Sequence, residues 1–303
     1  MYDIIIIGGG CAGLTAAVYA RRASKSVLLF ENQVYGGQIS FSPSVENYPG
    51  FANISGLELS DKIYQQASAL GTKTSFETVT GIRSEQNIKT VITDSGEYNC
   101  KAVIIAAGLK HRKTGLENED RFTGRGISYC AVCDGAFFKG KDVAVYGGGN
   151  TALQDAAFLA DLCSSVTLIH RRDSFRADAH VVAALKEKSN INYILNSTVT
   201  TINGENILES VSVTDKLTGN IRDIKVSGLF VAIGHIPQNE PFKSLVKLDE
   251  HGFIIAGEDC RTSEEGIFAA GDCRVKEIRQ LTTAAADGAV AATNACRYID
   301  SIL

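Results

Sequence analysis

The chain carries one pattern twice. Asp3-Ile-Ile-Ile-Ile-Gly-Gly-Gly-Cys-Ala-Gly-Leu14 returns 139 residues later as Asp142-Val-Ala-Val-Tyr-Gly-Gly-Gly-Asn-Thr-Ala-Leu153. The register runs on without a gap to Val27-Leu-Leu-Phe-Glu31 against Val166-Thr-Leu-Ile-His170. Each copy is an apolar, β-rich run, a glycine turn, an alanine-rich stretch at helical spacing (Leu14, Ala17, Val18; Leu153, Ala156, Ala157) and a second apolar run. A lone G-x-G-x-x-G/A is a weak signal; inside a strand–turn–helix–strand context, and repeated, it predicts two nucleotide-binding units. The 303 residues suit about two such domains.

The residue types explain the pattern. Gly8 and Gly147 are placed for the tight turn, and Gly10 and Gly149 let backbone approach a pyrophosphate. Gly13 and Ala152 allow the helix to pack close to the strand. The helix start then offers unpaired N–H groups to phosphate. The bland alternative, a glycine-rich turn in any α/β fold, would have to occur twice.

The two copies diverge where the second strand ends. Glu31 can accept hydrogen bonds from a ribose diol and repels a 2′-phosphate, so the first unit is expected to hold FAD or NAD. His170 stands at the equivalent place in the second copy, followed by Arg171, Arg172 and Arg176, which suit a 2′-phosphate and hence NADPH. A solvated helix start is the competing account of the arginines. One site for each kind of ribose implies a flavoprotein fed by NADPH.

Between and after the repeats lie matching pieces. A hairpin turns at Asp94-Ser-Gly96, and Val103-Ile-Ile-Ala-Ala-Gly108 returns from it. In the second half Lys216-Leu-Thr-Gly219 is the turn, and Gly228-Leu-Phe-Val-Ala-Ile-Gly234 the return. The stretch Leu281–Ile302 reads as a long alanine-rich helix without its own fingerprint, so the tail is expected to complete the first unit. The expected organisation is α/β: two Rossmann-like, three-layer ββα domains, with residues 114–241 inserted between 1–113 and 242–303. Crossings near 111–117 and 235–243 would act as hinges.

Net charge is −4, and the only basic cluster is the one at 170–176, so no nucleic-acid partner is expected. No basic leader or spanning apolar run appears, so neither membrane nor export is expected and the cytoplasm is the expected compartment. Of eight cysteines only Cys130 and Cys133 form a close pair, Cys130-Ala-Val-Cys-Asp-Gly135. A C-x-x-C can bind zinc, staple a fold, or work as a dithiol/disulfide couple.

Several stretches together resemble the low-molecular-weight, bacterial-type thioredoxin reductases, essentially from end to end. They are Gly8-Gly-Gly10, Gly36-Gly-Gln38, Val45-Glu-Asn-Tyr-Pro-Gly50, Arg125-Gly-Ile-Ser-Tyr-Cys-Ala-Val-Cys-Asp-Gly135 and Val145-Tyr-Gly-Gly-Gly-Asn-Thr-Ala152. His170-Arg-Arg-Asp-Ser-Phe-Arg-Ala177, Phe230-Val-Ala-Ile-Gly-His235, Phe268-Ala-Ala-Gly-Asp272 and Arg279-Gln280 complete the set.

The resemblance implies a homodimer that binds FAD and NADPH and reduces thioredoxin. It implies that Asp272 contacts the FAD ribityl–pyrophosphate region, with Gly37, Gln38, Asn47, Arg279, Gln280 and Leu281 lining the rest. Asn150, Thr151 and Gly234 join Gly147, Gly149, Ala152, His170 and the arginines at NADPH. Cys133 would face the flavin, Cys130 would attack the disulfide of thioredoxin, and Asp134 would protonate the leaving thiolate. A large domain rotation would separate the two half-reactions.

Zinc normally needs a second ligand pair, and a non-exported chain rarely keeps a structural disulfide, so no metal is expected. The other cysteines are expected to be buried small hydrophobes. Four departures from the family pattern stand out: Cys11 for proline, Ala107 for threonine, Gln154-Asp155 for a Glu-Glu pair, and Phe41-Ser42-Pro43 in a threonine-rich loop. The nearest rivals are a small-molecule dithiol oxidase and a ferredoxin-linked reductase on the same fold; the arginine cluster argues against the second.

Overall fold

The computed structural model describes residues 1–42 and 45–302; Pro43, in the interrupted loop, lies outside the described residues. The chain divides into two units. One is His111–His235, and the residues before and after it form the other.

In the first unit, Ile4 to Ile7 are all buried, at most 6% exposed. Side chains alternate across a strand. Ile4 and Ile6 therefore pack with Leu14, Ala17, Ala291 and Ile299 of the helices, while Ile5 and Ile7 pack with Ile82, Val91, Cys100 and Phe242. A strand covered on both faces reads as an unbroken apolar run. Each such isoleucine contributes about 1.5–3 kcal/mol. The second unit repeats the device: Val143 and Val145 face Leu153 and Ala156, and Ala144 faces Val199 and Val211. Helices, parallel sheet and antiparallel meander make the three expected layers in each.

The units differ in their sheets. In the first, Glu97–Ile105 is one continuous strand: Cys100 pairs with Lys89 of the meander and with Tyr2 of the parallel sheet. Seven strands thus form a single sheet, joined at the far end of the chain by Ile267–Ala269, parallel to Val103–Ile105. In the second unit, Ser197–Asn203, Ser210–Asp215 and Ile221–Lys225 form a separate three-stranded sheet. The break falls at Val226 and Ser227, whose N–H groups go to Glu209 and Asp142 carbonyls.

The helix Leu281–Ser301 closes the first unit against Cys11–Arg22. Its small residues permit this: a Cβ on Gly288 would lie 2.2 Å from the Ala12 carbonyl oxygen. The chain crosses between units at 110/111 and 235/236, a few residues before the expected 113/114 and 241/242. Arg112 N–H donates to the Gly234 carbonyl, which ties 112 to the second unit. Asn239 donates to the Gly252 and Cys273 carbonyls and Phe242 enters the core beside Ile5, which ties 239–242 to the first.

All six scattered cysteines are buried. Burial pushes the Cys11 thiol up to about 11 and Cys100 to about 12, which suppresses their reactivity. Among the described residues no His/Cys/Asp/Glu cluster fit for a metal ion occurs, and no helix is long and apolar enough to cross a membrane.

At the ends of the second unit His111 and His235 lie ring to ring, 4.8 Å between centroids, with Tyr129 5.9 Å from His111. Burial, then the charge of His235, drives His111 down to about 4 from its ordinary 6.5. Burial lowers His235 as well. The unfolded chain therefore takes up protons that the folded one refuses as pH falls from 6.5 toward 4, and stability drops across that window. Above it these groups contribute nothing to the slope. His111→Phe should flatten the fall of thermal midpoint between these pH values, and parallel curves for variant and parent would refute the assignment.

Candidate active site

In the first unit Gly8 has φ +105°, and a Cβ there would sit 2.3 Å from the Ala106 carbonyl oxygen. The turn and the close approach both demand glycine. A Cβ on Gly13 would lie 1.9 Å from the Gly8 oxygen, so helix and strand meet as closely as the fingerprint predicts. Gly10 is different: the nearest atom to its missing Cβ is the Gly36 oxygen at 3.8 Å, so this side of the turn is open. Gly36 N–H donates to the Gly9 oxygen at 2.7 Å, which brings Gly37 beside Gly10, with Gln38 next in the chain.

Glu31 reaches the same turn. One carboxylate oxygen accepts Gly9 N–H at 2.8 Å and the other accepts the N–H groups of Asn32 and Gln33. Glu31 braces the glycine turn, a role that strand-end position alone did not reveal.

The far end of the chain completes this site. Cys11 Sγ–H donates to the Leu281 carbonyl at 3.5 Å, and Asn47 Nδ2 donates to Gln280 Oε1 at 3.1 Å. Arg279 lies over the Phe253 ring, 4.3 Å from its centroid. Burial pushes the Asp272 carboxyl up, against the pull of Lys276 and Arg279. Asp272 Oδ1 and Arg279 Nε are both buried and have no hydrogen-bond partner among the described residues. Buried polar atoms are almost always paired. A lone acceptor and a lone donor, near a helix start with an open glycine, fit a hydroxyl-rich dinucleotide such as FAD.

The second fingerprint is built by another route. Gly147 has no positive φ, yet a Cβ there would be 2.2 Å from the Ala232 oxygen. The open position is again the third glycine, Gly149, with nothing nearer than the Arg176 oxygen at 3.9 Å. Arg176 N–H donates to the Gly148 carbonyl at 2.7 Å, which latches the basic segment to the turn. Asn150 Nδ2 donates to Asp178, and Asp178 N–H donates back to Asn150 Oδ1. Thr151 is exposed on the first helical turn, Ala152 is buried, and Gly234 (φ +110°) has open space around it at the end of the returning strand.

His170 is placed differently from the arginines. Its ring is buried beneath the turn, where a Cβ on Gly148 would lie 2.2 Å from Nδ1, and its Nε2 has no partner among the described residues. The ring props the loop. Burial, against a backbone hydrogen bond at Ser174, lowers its pKa, and the charges of Arg171, Arg172 and Arg176 add to this. Arg171 and Arg176 are exposed and Arg172 is partly so. These residues fit the 2′-phosphate of NADPH.

The dithiol lies in this same unit. Cys130 and Cys133 are joined as a disulfide, Cα atoms 5.4 Å apart. Cys130 caps the single turn Ala131–Asp134, and its Sγ accepts Cys133 N–H at 3.2 Å. In so short a turn, one local N–H is aimed at one sulfur. Ser128 Oγ accepts Cys130 N–H at 3.0 Å and donates to the Cys130 carbonyl, holding the turn entry. Below, a Cβ on Gly135 would meet Leu159 and Phe158 at 3.1 Å, so the glycine after Asp134 seats the turn on the helix Asn150–Ala160. Cys130 and Asp134 are half-buried and Cys133 is exposed.

Two dinucleotide folds and an accessible disulfide define a nucleotide-dependent disulfide oxidoreductase. Residues 2–288 match the family model described as pyridine nucleotide-disulphide oxidoreductase, and the chain belongs to that family. Within it, the chain is 42% identical over 303 residues to the thioredoxin reductase of Bacillus subtilis (strain 168), covering 100% of this chain and 96% of that protein. Identity to the thioredoxin reductase of Treponema pallidum (strain Nichols) is 42% over 302 residues, covering 99% and 98%. The crystal structure of Lactococcus lactis thioredoxin reductase matches with a TM-score of 0.96 at 40% identity, covering 99% of this chain and 100% of that one.

Proposed function

We propose that the chain reduces the disulfide of a thioredoxin at the expense of NADPH, using FAD and the Cys130–Cys133 pair. The first unit is the FAD domain and the second the NADPH domain. The observation that carries this reading is the construction of the second unit, where the disulfide and the arginine-flanked fingerprint share one support. The full-length likeness to thioredoxin reductases supports it.

FAD, when bound, supplies the two-electron relay between NADPH and the disulfide. The side chains do the rest. In the reduced pair the Cys130 thiolate is steadied by the Cys133 N–H. It attacks one sulfur of the thioredoxin disulfide; a mixed disulfide forms and the other thioredoxin sulfur leaves as a thiolate. Asp134, next to Cys133, supplies its proton. Cys133 then attacks the Cys130 sulfur, which re-forms the Cys130–Cys133 bond and releases the second thioredoxin thiol. One NADPH and one proton are consumed for two thiols made. The active species is a homodimer working in the cytoplasm.

Purified protein mixed with NADPH and a thioredoxin should yield two free thiols for each NADPH oxidised. Rapid NADPH consumption under oxygen with no thiols would sink this reading, and oxygen uptake driven by a small-molecule dithiol without NADPH would identify a dithiol oxidase. Thiol formation only with reduced ferredoxin would transfer the reading to the ferredoxin-linked class.

A further inference from the structure

The helix Leu281–Ser301 buries a face rich in alanine, and among its buried residues stands one charged residue, Asp287, 6% exposed. A buried charge costs free energy unless it is fully paired. Here the pairing is extensive. Arg274, 3% exposed, donates Nε and Nη2 to the two carboxylate oxygens at 2.8 Å each, and Lys276 Nζ donates at 2.9 Å. The fourth donor is the backbone N–H of Gly271, 2.9 Å from Oδ2.

Gly271 has φ +78° and opens the turn Gly271–Cys273, whose next residue is Asp272 with its unpartnered buried oxygen. The same turn is closed in from the other side, since a Cβ on Gly271 would be 2.9 Å from the Ala12 side chain. One carboxylate therefore grips the turn just before Asp272 through backbone, and just after it through Arg274 and Lys276.

We propose that Asp287 is a positioning residue for the flavin site: it fixes the backbone of the Gly271–Cys273 turn so that Asp272 presents its free oxygen to FAD. The inference rests on the reading of the first unit as the FAD domain. Asp287 touches no cofactor; it acts through Asp272. The Asp287 carboxylate is ion-paired with both Arg274 and Lys276.

A double-mutant cycle on FAD affinity tests this, with apoprotein titrated by FAD and binding read from flavin fluorescence. Asp287→Asn should weaken FAD by about thirtyfold, the scale of losing one charge-assisted hydrogen bond. Asp272→Ala should weaken it comparably. The two together should be no worse than the larger single change, because one acts through the other. Additive losses, or undiminished affinity in Asp287→Asn, would overturn the proposal. Should Asp287→Asn fail to fold, Arg274→Met/Asp287→Leu replaces the buried pair by apolar groups and removes the acceptor for Gly271 N–H; the same non-additivity with Asp272→Ala is then required. A parent protein that binds no FAD would instead refute the FAD reading, a result distinct from any pattern among variants.

Discussion

Replacing Cys133 by serine should cut NADPH-driven thiol production by at least about a thousandfold, more than ~4 kcal/mol in the barrier. The backbone N–H at 133 still reaches Cys130 Sγ, so the turn and its seat on Leu159 and Phe158 are kept. What disappears is the second sulfur. Without it the pair cannot store two electrons as a dithiol, and a mixed disulfide between Cys130 and thioredoxin cannot be resolved. Reduction of bound FAD by NADPH should persist, followed by its visible absorbance under anaerobic conditions. A covalent adduct with thioredoxin should accumulate on non-reducing gels. Thiol production above a few per cent of the parent, or loss of flavin reduction with it, would show that the two cysteines do not divide the work as proposed.

The double change Arg171→Ala/Arg176→Ala should raise KM for NADPH by more than about a hundredfold, since each lost contact of guanidinium with phosphate is worth about 1.5–3 kcal/mol. The kcat should hold and KM for NADH should hardly move, because NADH has no 2′-phosphate. The geometry motivates the choice. Both side chains are exposed around the second glycine turn, and Arg176 is latched to it through its own backbone, which alanine preserves. Lysine at both places should recover only part of the affinity, because its point charge lacks the planar fork. Equal losses for NADPH and NADH would mean that the segment shapes the loop and does not read the phosphate.

Much of this arrangement was legible before folding. The glycine spacing placed both turns, and the structure gives each glycine its cause: Gly8 a positive φ and a close carbonyl, Gly147 a close carbonyl alone. Buried strands were legible because an unbroken apolar run needs cover on both faces. The contrast between Glu31 and the arginines was legible because charge at a strand end is a local property. Other features were not. His170 belonged to the basic cluster by position, and only packing turned its ring beneath Gly148. The meanders looked alike in the two halves, yet one merges with its parallel sheet and the other breaks away at Val226-Ser227. Asp287 sat unnoticed in an alanine-rich helix.

The amino-acid sequence by itself determined the local patterns: two glycine turns of the dinucleotide-binding type, an acid at the end of one second strand, arginines after the other, and a C-x-x-C. Each of these is written in spacings of a few residues, where backbone geometry leaves few choices. Tertiary structure alone decided which distant residues share a site. Cys11 meets Leu281 across 270 residues and Asn47 meets Gln280 across 233, while Asp287 reaches back to the turn that carries Asp272. Such meetings depend on how whole layers pack around a common core, and no short pattern encodes the result.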